Sequence, residues 1–386
     1  MARRPAAARP RAVFEDVGSA RAAPVAAPGE ADRRKRRGRR LVAAWLFALA
    51  GLVAAMVLVG GMTRLTDSGL SMVSWHPVMG ALPPMTEADW AAEFEKYQRT
   101  AQFRLVNSWM TVDDFKSIYW WEWGHRQFGR VIGLVWAAGL AVFLALRMIP
   151  PGYRWPVVVP GLLGGVQAGI GMWMVESGVA EGSELVSVAP YRLTAHLSLA
   201  FLIFGLLLWP AWRLIREDWR LLQARRARAP GAMRGAALLV GLVFAQIALG
   251  ALVAGNDAGR GYIDWPLMNG HILPPESFEF SPLWRNVVES DALTQFNHRV
   301  LGYLLAFWAI AYWLIARRSG LAAVGGWAAW AALAVWLQMG WGIVTVTQGA
   351  PLWAAILHQA GALATFAVTL RARFEAAYPA EQSVRG

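Results

Sequence analysis

The segments "EWGHRQFGRVIG" (residues 122–133) and "QFNHRVLGYLLA" (residues 295–306) each place a His-Arg pair at the start of a long apolar run. A membrane-spanning helix needs roughly 20 apolar residues, because the hydrocarbon core of a bilayer is about 30 Å thick. Only helices and closed barrels span lipid, and these runs are too long for barrel strands. We therefore predict an all-α membrane protein with eight transmembrane helices near residues 41–62, 126–148, 156–175, 192–212, 235–255, 299–316, 322–345 and 352–370.

The charge pattern predicts how the chain lies in the membrane. Only 16% of the residues are charged, against about 25% in soluble domains. The net charge of +12 could indicate nucleic-acid binding, but every arginine cluster flanks a predicted span, so this interpretation is the weaker one. Basic segments alternate with acidic or mixed loops at 64–124, 176–190 and 256–297. This positive-inside pattern predicts cytoplasmic termini. The Arg-rich start could be a mitochondrial transit peptide, but acidic residues are unusual in one, which favours a bacterial inner membrane; they are Glu15, Asp16, Glu30 and Asp32. The absence of cysteine excludes disulfides, thiolate heme ligation and iron–sulfur clusters.

The chain contains an internal repeat. Asp67, Gly69 and Trp75 recur 190 residues later as Asp257, Gly259 and Trp265, and "QAGIGMWMVESG" (167–178) recurs 171 residues later as "QMGWGIVTVTQG" (338–349). Four spans per half predict a parallel duplication. We therefore predict five segments: a disordered cytoplasmic tail (1–40), an N-terminal half (41–215), a cytoplasmic linker (216–234), a C-terminal half (235–371) and a cytoplasmic tail (372–386).

The repeat also pairs four histidines near the predicted outer ends of helices 2, 4, 6 and 8: His125, His196, His298 and His358. Each half then presents two imidazoles on facing helices, which suits axial ligation of a heme iron in a bundle core. Zinc or copper is an alternative, although two histidines are few ligands for either metal. A single such histidine could also be an interfacial hydrogen-bonding residue. His76 and His271, in loops beside prolines, are interpreted as structural or surface residues.

Together these motifs resemble the heme A synthase family. The resemblance rests on "EWGHR" (122–126), "FNHR" (296–299) and the two Gln-x-Gly-x-Gly helices, and it covers about residues 41–371. The cysteine-free loops resemble the alphaproteobacterial and mitochondrial branch, whereas other members carry a cysteine pair in the first outer loop. The resemblance implies oxidation of the C8 methyl group of heme O to a formyl group, giving heme A, through two successive hydroxylations.

The resemblance also implies which residues act. His125 and His196 would bind heme O, and His298 and His358 would bind a heme B cofactor that passes electrons. It makes heme O synthase and cytochrome oxidase assembly factors candidate partners, beside membrane lipid and without nucleic acid. The electron-transfer partner, a homo-oligomer and the source of the oxygen stay open.

Glu122 differs from its counterpart Gln295, and this difference predicts chemistry in the first half. Glu122 precedes His125 by three residues, so both lie on one helix face. A carboxylate there could accept a proton or stabilise a cation, which Gln295 cannot do. The alternative is an interfacial charge paired with Arg126 or Arg130.

Several surrounding residues have two interpretations each. Arg126, Arg130 and Arg299 are candidates for binding heme propionates, or they contact lipid headgroups. Three tryptophans, at 120, 121 and 123, cover a heme edge or form an interfacial belt. Asp67 and Asp257 are expected to shape turns. Segment 86–118 is predicted to form one or two amphipathic helices that lie on the bundle and cap the substrate.

Two other function classes stay open. One is a diheme cytochrome b-like electron carrier, or a heme chaperone that binds heme without changing it. Neither needs the difference between Glu122 and Gln295. The other is a transporter. Transporter sites lie near the bilayer midplane in broken helices, and the clustering of ionisable residues at the outer ends counts against that class.

Overall fold

A computed structural model describes residues 29–75 and 79–380 of the chain. Its α-helices are α1 (Glu30–Leu65), α2 (Glu87–Gln98), α3 (Ala101–Leu105), α4 (Val112–Ala145), α5 (Arg154–Val179), α6 (Pro190–Leu214), α7 (Asp218–Arg226), α8 (Pro230–Gly255), α9 (Asn286–Glu289), α10 (Asp291–Arg317), α11 (Ala322–Thr347) and α12 (Leu352–Ala377). Within the described residues no strand forms, apart from one isolated bridge between Met268 and His271. Most of the predicted N-terminal tail and His76 lie outside the described residues.

The predicted eight spans are confirmed. Eight described helices are long and apolar enough to cross a membrane, namely α1, α4, α5, α6, α8, α10, α11 and α12. The chain is therefore a multi-pass membrane protein by its helix lengths and composition. The loops between spans are short except for residues 66–111 and 256–290.

Several boundaries differ from the sequence-based ones, because polar residues continue the helices beyond the apolar runs. Residues 30–40, expected to be disordered, begin α1, and the linker contains α7. Helix α4 starts at Val112, where Thr111 and Asp114 form a capping box. His125 consequently lies several turns inside α4 and not at its first turn.

Helices α1, α6, α8 and α12 form the centre of the bundle, where the two halves meet. The buried ring of Phe366 on α12 is surrounded by Phe201, Phe204 and Phe244, with ring centroids 5.8–6.5 Å away. Gly205 lies directly against Phe366, because its missing side chain leaves room for the ring. The halves therefore share one apolar core, which burial of these aromatic rings stabilises.

The two outer helix pairs pack differently. In the C-terminal half, α10 and α11 bury small and branched residues against the rest of the bundle, including Leu305, Ala309, Ala328 and Val335. In the N-terminal half, no residue from 124 to 145 of α4 is buried, and α5 buries only Val157, Pro160 and Gly178 near its ends. Helices α4 and α5 are thus the loosely packed pair of the molecule.

We call the end of the bundle that carries the loops 66–111, 180–189, 256–290 and 348–351 the histidine end. There Asp67 and Asp257 take left-handed backbone angles (φ 51° and 52°) just after α1 and α8, as expected for turn-forming residues. Arg64 donates to Asp67 (3.2 Å) and to Asp257 (2.6 Å). A matching turn in each half is thus tied to the other half by one arginine.

The segment after the first turn contains short helices that pack on α4, as predicted, while its capping of a substrate stays a prediction. Helix α2 begins with a capping box at Thr86 and Asp89 and buries Trp90, Phe94 and Tyr97. These rings pack against the first turns of α4, where the ring of Phe115 stacks 5.2 Å from that of Tyr97. Residues 112–118, expected within the amphipathic segment, belong instead to α4.

Candidate functional site

Each of the four paired histidines packs against a glycine on the preceding span. A methyl group added at any of these glycines would lie 2.9–3.1 Å from an imidazole atom, so a larger residue would displace the ring. The glycine–histidine pairs are Gly60 with His125, Gly171 with His196, Gly250 with His298, and Gly342 with His358. The predicted small residues on α5 and α11 are thus part of a pattern present in all four helix pairs.

Three of the histidines are also held by a glutamine. Gln167 donates to the backbone carbonyl of His196 (2.9 Å), Gln246 to that of His298 (2.9 Å) and Gln338 to that of His358 (2.7 Å). In the C-terminal half the same amide nitrogens lie 3.3 Å from Nε2 of His298 and 3.1 Å from Nδ1 of His358. These glutamines fix the backbone of all three histidines and, in the C-terminal half, the imidazole rings as well.

The C-terminal half brings its two imidazoles close together, with their planes nearly perpendicular. The ring centroids of His298 and His358 are 6.5 Å apart and their planes are inclined by 80°. Two metal–imidazole bonds of about 2 Å each, with the ring radii added, span a separation of this size. The Nδ1 atom of His298 is buried and has no hydrogen-bond partner in the described residues. A pair of imidazoles at this separation fits the two axial positions of a heme iron.

The N-terminal half brings His125 and His196 together on α4 and α6, near enough for their charges to interact. Among the described residues, the Nδ1 atom of His196 is buried without a hydrogen-bond partner, as is that of His298 in the other half. A buried imidazole nitrogen without a protein partner keeps a lone pair or N–H available to a bound group. The residues of this half therefore also fit a heme. Over residues 29–75 and 79–380, no group of three His, Cys, Asp or Glu side chains could hold a metal ion directly.

Glu122 is buried one turn before His125 and accepts three hydrogen bonds. Its Oε1 accepts from Arg126 (2.5 Å), and its Oε2 lies 2.8 Å from both the Ser71 hydroxyl and the Met72 amide nitrogen. The side chain of Glu122 is only 3% exposed and that of Arg126 8%. The ion pair that sequence analysis set against a catalytic role is therefore present. It anchors the carboxylate at one place beside the histidine.

Gln295 takes the equivalent position in the other half with reversed polarity. Its amide donates to the carbonyl of Tyr262 (3.1 Å) and accepts from Arg299 (3.4 Å). Tyr262 lies 190 residues after Met72, so the two side chains meet the same loop position. One meets it as an acceptor and the other as a donor. The two halves share a scaffold but carry different chemical groups next to the first histidine of each pair.

Arg126 and Arg299 also hold their loops in the same way. Arg126 donates to the carbonyls of Met72 (2.8 Å) and Ser74 (3.1 Å), and Arg299 donates to those of Tyr262 (3.0 Å) and Leu267 (2.8 Å). Several donors of each guanidinium are thus occupied by the protein. Binding of heme propionates by these arginines stays a prediction.

Comparison with known proteins agrees with this architecture. A family model described as cytochrome oxidase assembly protein (COX15-CtaA) matches residues 43–370. Proteins named heme A synthase are similar over nearly the whole chain: 52% identity in Ruegeria pomeroyi (97% of this chain, 99% of the relative), 50% in Dinoroseobacter shibae (97% and 98%) and 48% in Cereibacter sphaeroides (98% and 99%). The chain belongs to the heme A synthase family. The resemblance found in the sequence is confirmed.

In this member of the heme A synthase family, a cavity of about 510 Å³ lies at the histidine end, between the loop after α1, helix α2 and helix α4. Its lining includes Met72, Lys96, Tyr119, Arg126 and Arg130. Arg130 thus shares one cavity with Arg126, as expected of two arginines on the same helix face. Its lining combines charged and apolar side chains.

The tryptophans at 120, 121 and 123 and the loop residue His271 lie outside the cluster of four histidines in this heme A synthase family member. Trp120 (45% exposed) and Trp121 (40% exposed) face outwards, as an interfacial belt would, while Trp123 packs edge-on against Trp120. His271 is exposed and closes the turn with Met268 through its backbone. This agrees with the structural or surface role expected of it.

Sequence reasoning missed Gln246, Gly60 and Gly250 as parts of the site. The signal was available, because Gln246 and Gly250 repeat the spacing of Gln167 and Gly171. It also missed Ser71, whose hydroxyl reaches Glu122 across 51 positions of sequence. No sequence motif predicts the contact between Ser71 and Glu122, since it depends on how the loop after α1 folds back over α4.

Proposed function

We propose that the chain oxidises the C8 methyl group of heme O to a formyl group, giving heme A. The observation that supports this most strongly is the pairing of near-full-length similarity to heme A synthases with four histidine–glycine contacts, two in each half. The similarity supports the reaction, and the contacts position a pair of imidazoles in each half that could bind a heme iron.

Two successive hydroxylations account for the conversion. The methyl group becomes a hydroxymethyl group and then a gem-diol, which loses water to leave the aldehyde. With water as the oxygen source, each hydroxylation releases two electrons and two protons. The chain must therefore hold a proton acceptor close to the methyl group and pass electrons onwards. A heme B held by His298 and His358 would supply one-electron transfer.

Two differences between the halves support placing the substrate in the N-terminal half. Only that half carries a carboxylate, Glu122, beside the first histidine of its pair. It also has the loosely packed helices α4 and α5, which suits a molecule that must enter and leave, whereas α10 and α11 pack closely as a permanent cofactor site would. We therefore assign His125 and His196 to heme O.

Glu122 is assigned as the catalytic carboxylate. Three donors fix its position, so it meets the substrate without reorganising. An ionised carboxylate can take a proton released from the methyl carbon or stabilise positive charge there. Arg126 and Arg130, in the cavity at the histidine end, would bind propionates of the substrate, and Arg299 those of heme B.

The proposed setting is a bacterial inner membrane with both termini in the cytoplasm and the histidine end outside. The arginine clusters at the opposite end of the bundle support this orientation. Heme O is the proposed substrate partner, and heme O synthase and cytochrome oxidase assembly factors are the proposed protein partners.

The test is to purify the full chain from a host that makes heme O, extract its hemes and separate them by mass. The wild type should yield heme B, heme O and heme A. Glu122→Gln should retain heme yet accumulate heme O or a hydroxylated intermediate, while the matched variant Gln295→Ala in the other half should still form heme A. Two heme B and no heme A from the wild type would instead indicate a diheme electron carrier or a chaperone.

A further inference from the structure

One of the four histidines lacks the glutamine that holds the other three. Gln167, Gln246 and Gln338 each precede by four residues the glycine on which the neighbouring imidazole packs. Helix α1, which packs against His125 through Gly60, contains no glutamine at all. The residue four positions before Gly60 is Met56.

The side chain of Met56 occupies the place of a glutamine amide. A methyl group added at Gly129, four residues after His125, would lie 3.3 Å from Cε of Met56. A methyl group added at Gly302, four residues after His298, would lie 3.3 Å from Nε2 of Gln246. The terminal atoms of Met56 and Gln246 therefore stand at equivalent points of the two halves, with a methyl group replacing an amide.

Methionine in place of glutamine removes the hydrogen bonds to the histidine while keeping a side chain of similar size at that point. Methionine and glutamine have side chains of similar length without a branch at Cβ or Cγ, but a thioether has no donor. Met56 cannot donate to the carbonyl of His125 as Gln246 does to that of His298. A thioether chain with three rotatable bonds also adapts readily to a neighbour that moves. His125 is thus positioned by packing, whereas an amide holds the backbone carbonyl of each of the other three histidines and, in the C-terminal half, the imidazoles as well.

We propose that Met56 is a positioning residue that makes His125 the exchangeable axial ligand of the substrate heme, with His196 remaining bound. This inference rests on the proposed function. It places the accessible face of the substrate on the side of α4 that also carries Glu122, one turn away. The cofactor site, with Gln246 and Gln338 in place, keeps both imidazoles bound.

Carbon monoxide binding to the reduced, heme-loaded full chain tests the inference by optical difference spectroscopy. In the wild type one of the two hemes should bind carbon monoxide. Met56→Gln should weaken that binding roughly tenfold, the effect of one added hydrogen bond of about 1.4 kcal/mol, with heme content by mass unchanged. Met56→Leu, which has no donor, should bind carbon monoxide like the wild type. The reciprocal variant Gln246→Met should allow the heme in the C-terminal half to bind carbon monoxide as well.

Four results would overturn the inference. They are carbon monoxide binding by Met56→Gln equal to the wild type at full heme content, loss of binding in Met56→Leu, an unreactive second heme in Gln246→Met, and no reactive heme in the wild type. If Met56→Gln does not fold, Gln246→Met decides the question. The proposed function fails separately, when a wild-type chain that holds both hemes forms no heme A, because carbon monoxide binding is measured on bound heme without turnover.

Discussion

The carboxylate of Glu122 accepts a hydrogen bond from the backbone amide of Met72, 2.8 Å away. This contact ties the proposed catalytic residue to the loop that leaves α1. The same loop supplies the Ser71 hydroxyl, which is fully buried. The position of the carboxylate is therefore decided by a loop and a helix together, and loop variants should change the reaction without removing the acid.

Ser71→Ala should slow heme A formation while leaving heme content unchanged. A hydrogen bond to a charged group contributes about 1.5–3 kcal/mol, so a loss of at least roughly tenfold in rate is expected. The measurement is the ratio of heme A to heme O in extracts over time. Ser68→Ala is the control, because Ser68 is equally buried but bonds to Thr66 and not to Glu122. Equal rates in both variants would contradict the positioning role of Ser71.

The near-perpendicular imidazoles of His298 and His358 predict a spectroscopic signature. Low-spin ferric heme with crossed axial rings gives a strongly anisotropic electron paramagnetic resonance signal. That signal should disappear in His298→Ala and in His358→Ala, along with heme B in mass-separated extracts. His271→Ala, a loop residue, should keep both. Retention of full heme B after either core substitution would argue against the assigned ligands.

Phe366→Ala should destabilise the junction of the two halves. The ring is buried among three other phenylalanines, and truncating a buried phenylalanine costs about 3–5 kcal/mol. We expect a clear fall in the unfolding midpoint of the detergent-solubilised protein. Phe307→Ala should change it little, because the Phe307 side chain on α10 is 70% exposed. Similar losses in both variants would mean that Phe366 is not central to the shared core.

Arg64→Ala should make stability more dependent on pH. Burial raises the pKa of Asp67 above its usual range and Asp257 raises it further, while Arg64 opposes both effects. A raised carboxyl pKa means that the contribution of this group to stability is complete below about pH 4 and is lost as pH rises through the folded-state pKa. Removing Arg64 raises that pKa again and enlarges the loss at neutral pH.

The expected result for Arg64→Ala is a melting temperature lower by about 2 °C at neutral pH, with a smaller difference in acid. The effect is small because both aspartates are largely exposed (59% and 45%), so solvent screens the ion pairs. Melting curves of the solubilised protein at both pH values provide the measurement. Arg260→Ala removes an exposed cation that also acts on Asp67 and is the matched comparison. A difference that grew on acidification would reverse the predicted sign.

The sequence by itself determined the eight spans, the repeat and the pairing of the four histidines. Spans follow from apolar length, which lipid imposes on any chain. The repeat offsets of 190 and 171 residues place equivalent residues at equivalent heights without knowledge of contacts. The sequence placed the starts of α1 and α4 too late in the chain, because both helices begin in polar residues that precede the apolar runs.

Only the tertiary structure decided which groups meet. The glutamines that hold His196, His298 and His358, and the methionine beside His125, depend on which faces of neighbouring helices turn towards each other. The engagement of Glu122 by Ser71 depends on a loop folding back across α4. Hydrogen bonds between distant segments have no period in the sequence, so packing alone assigned these partners.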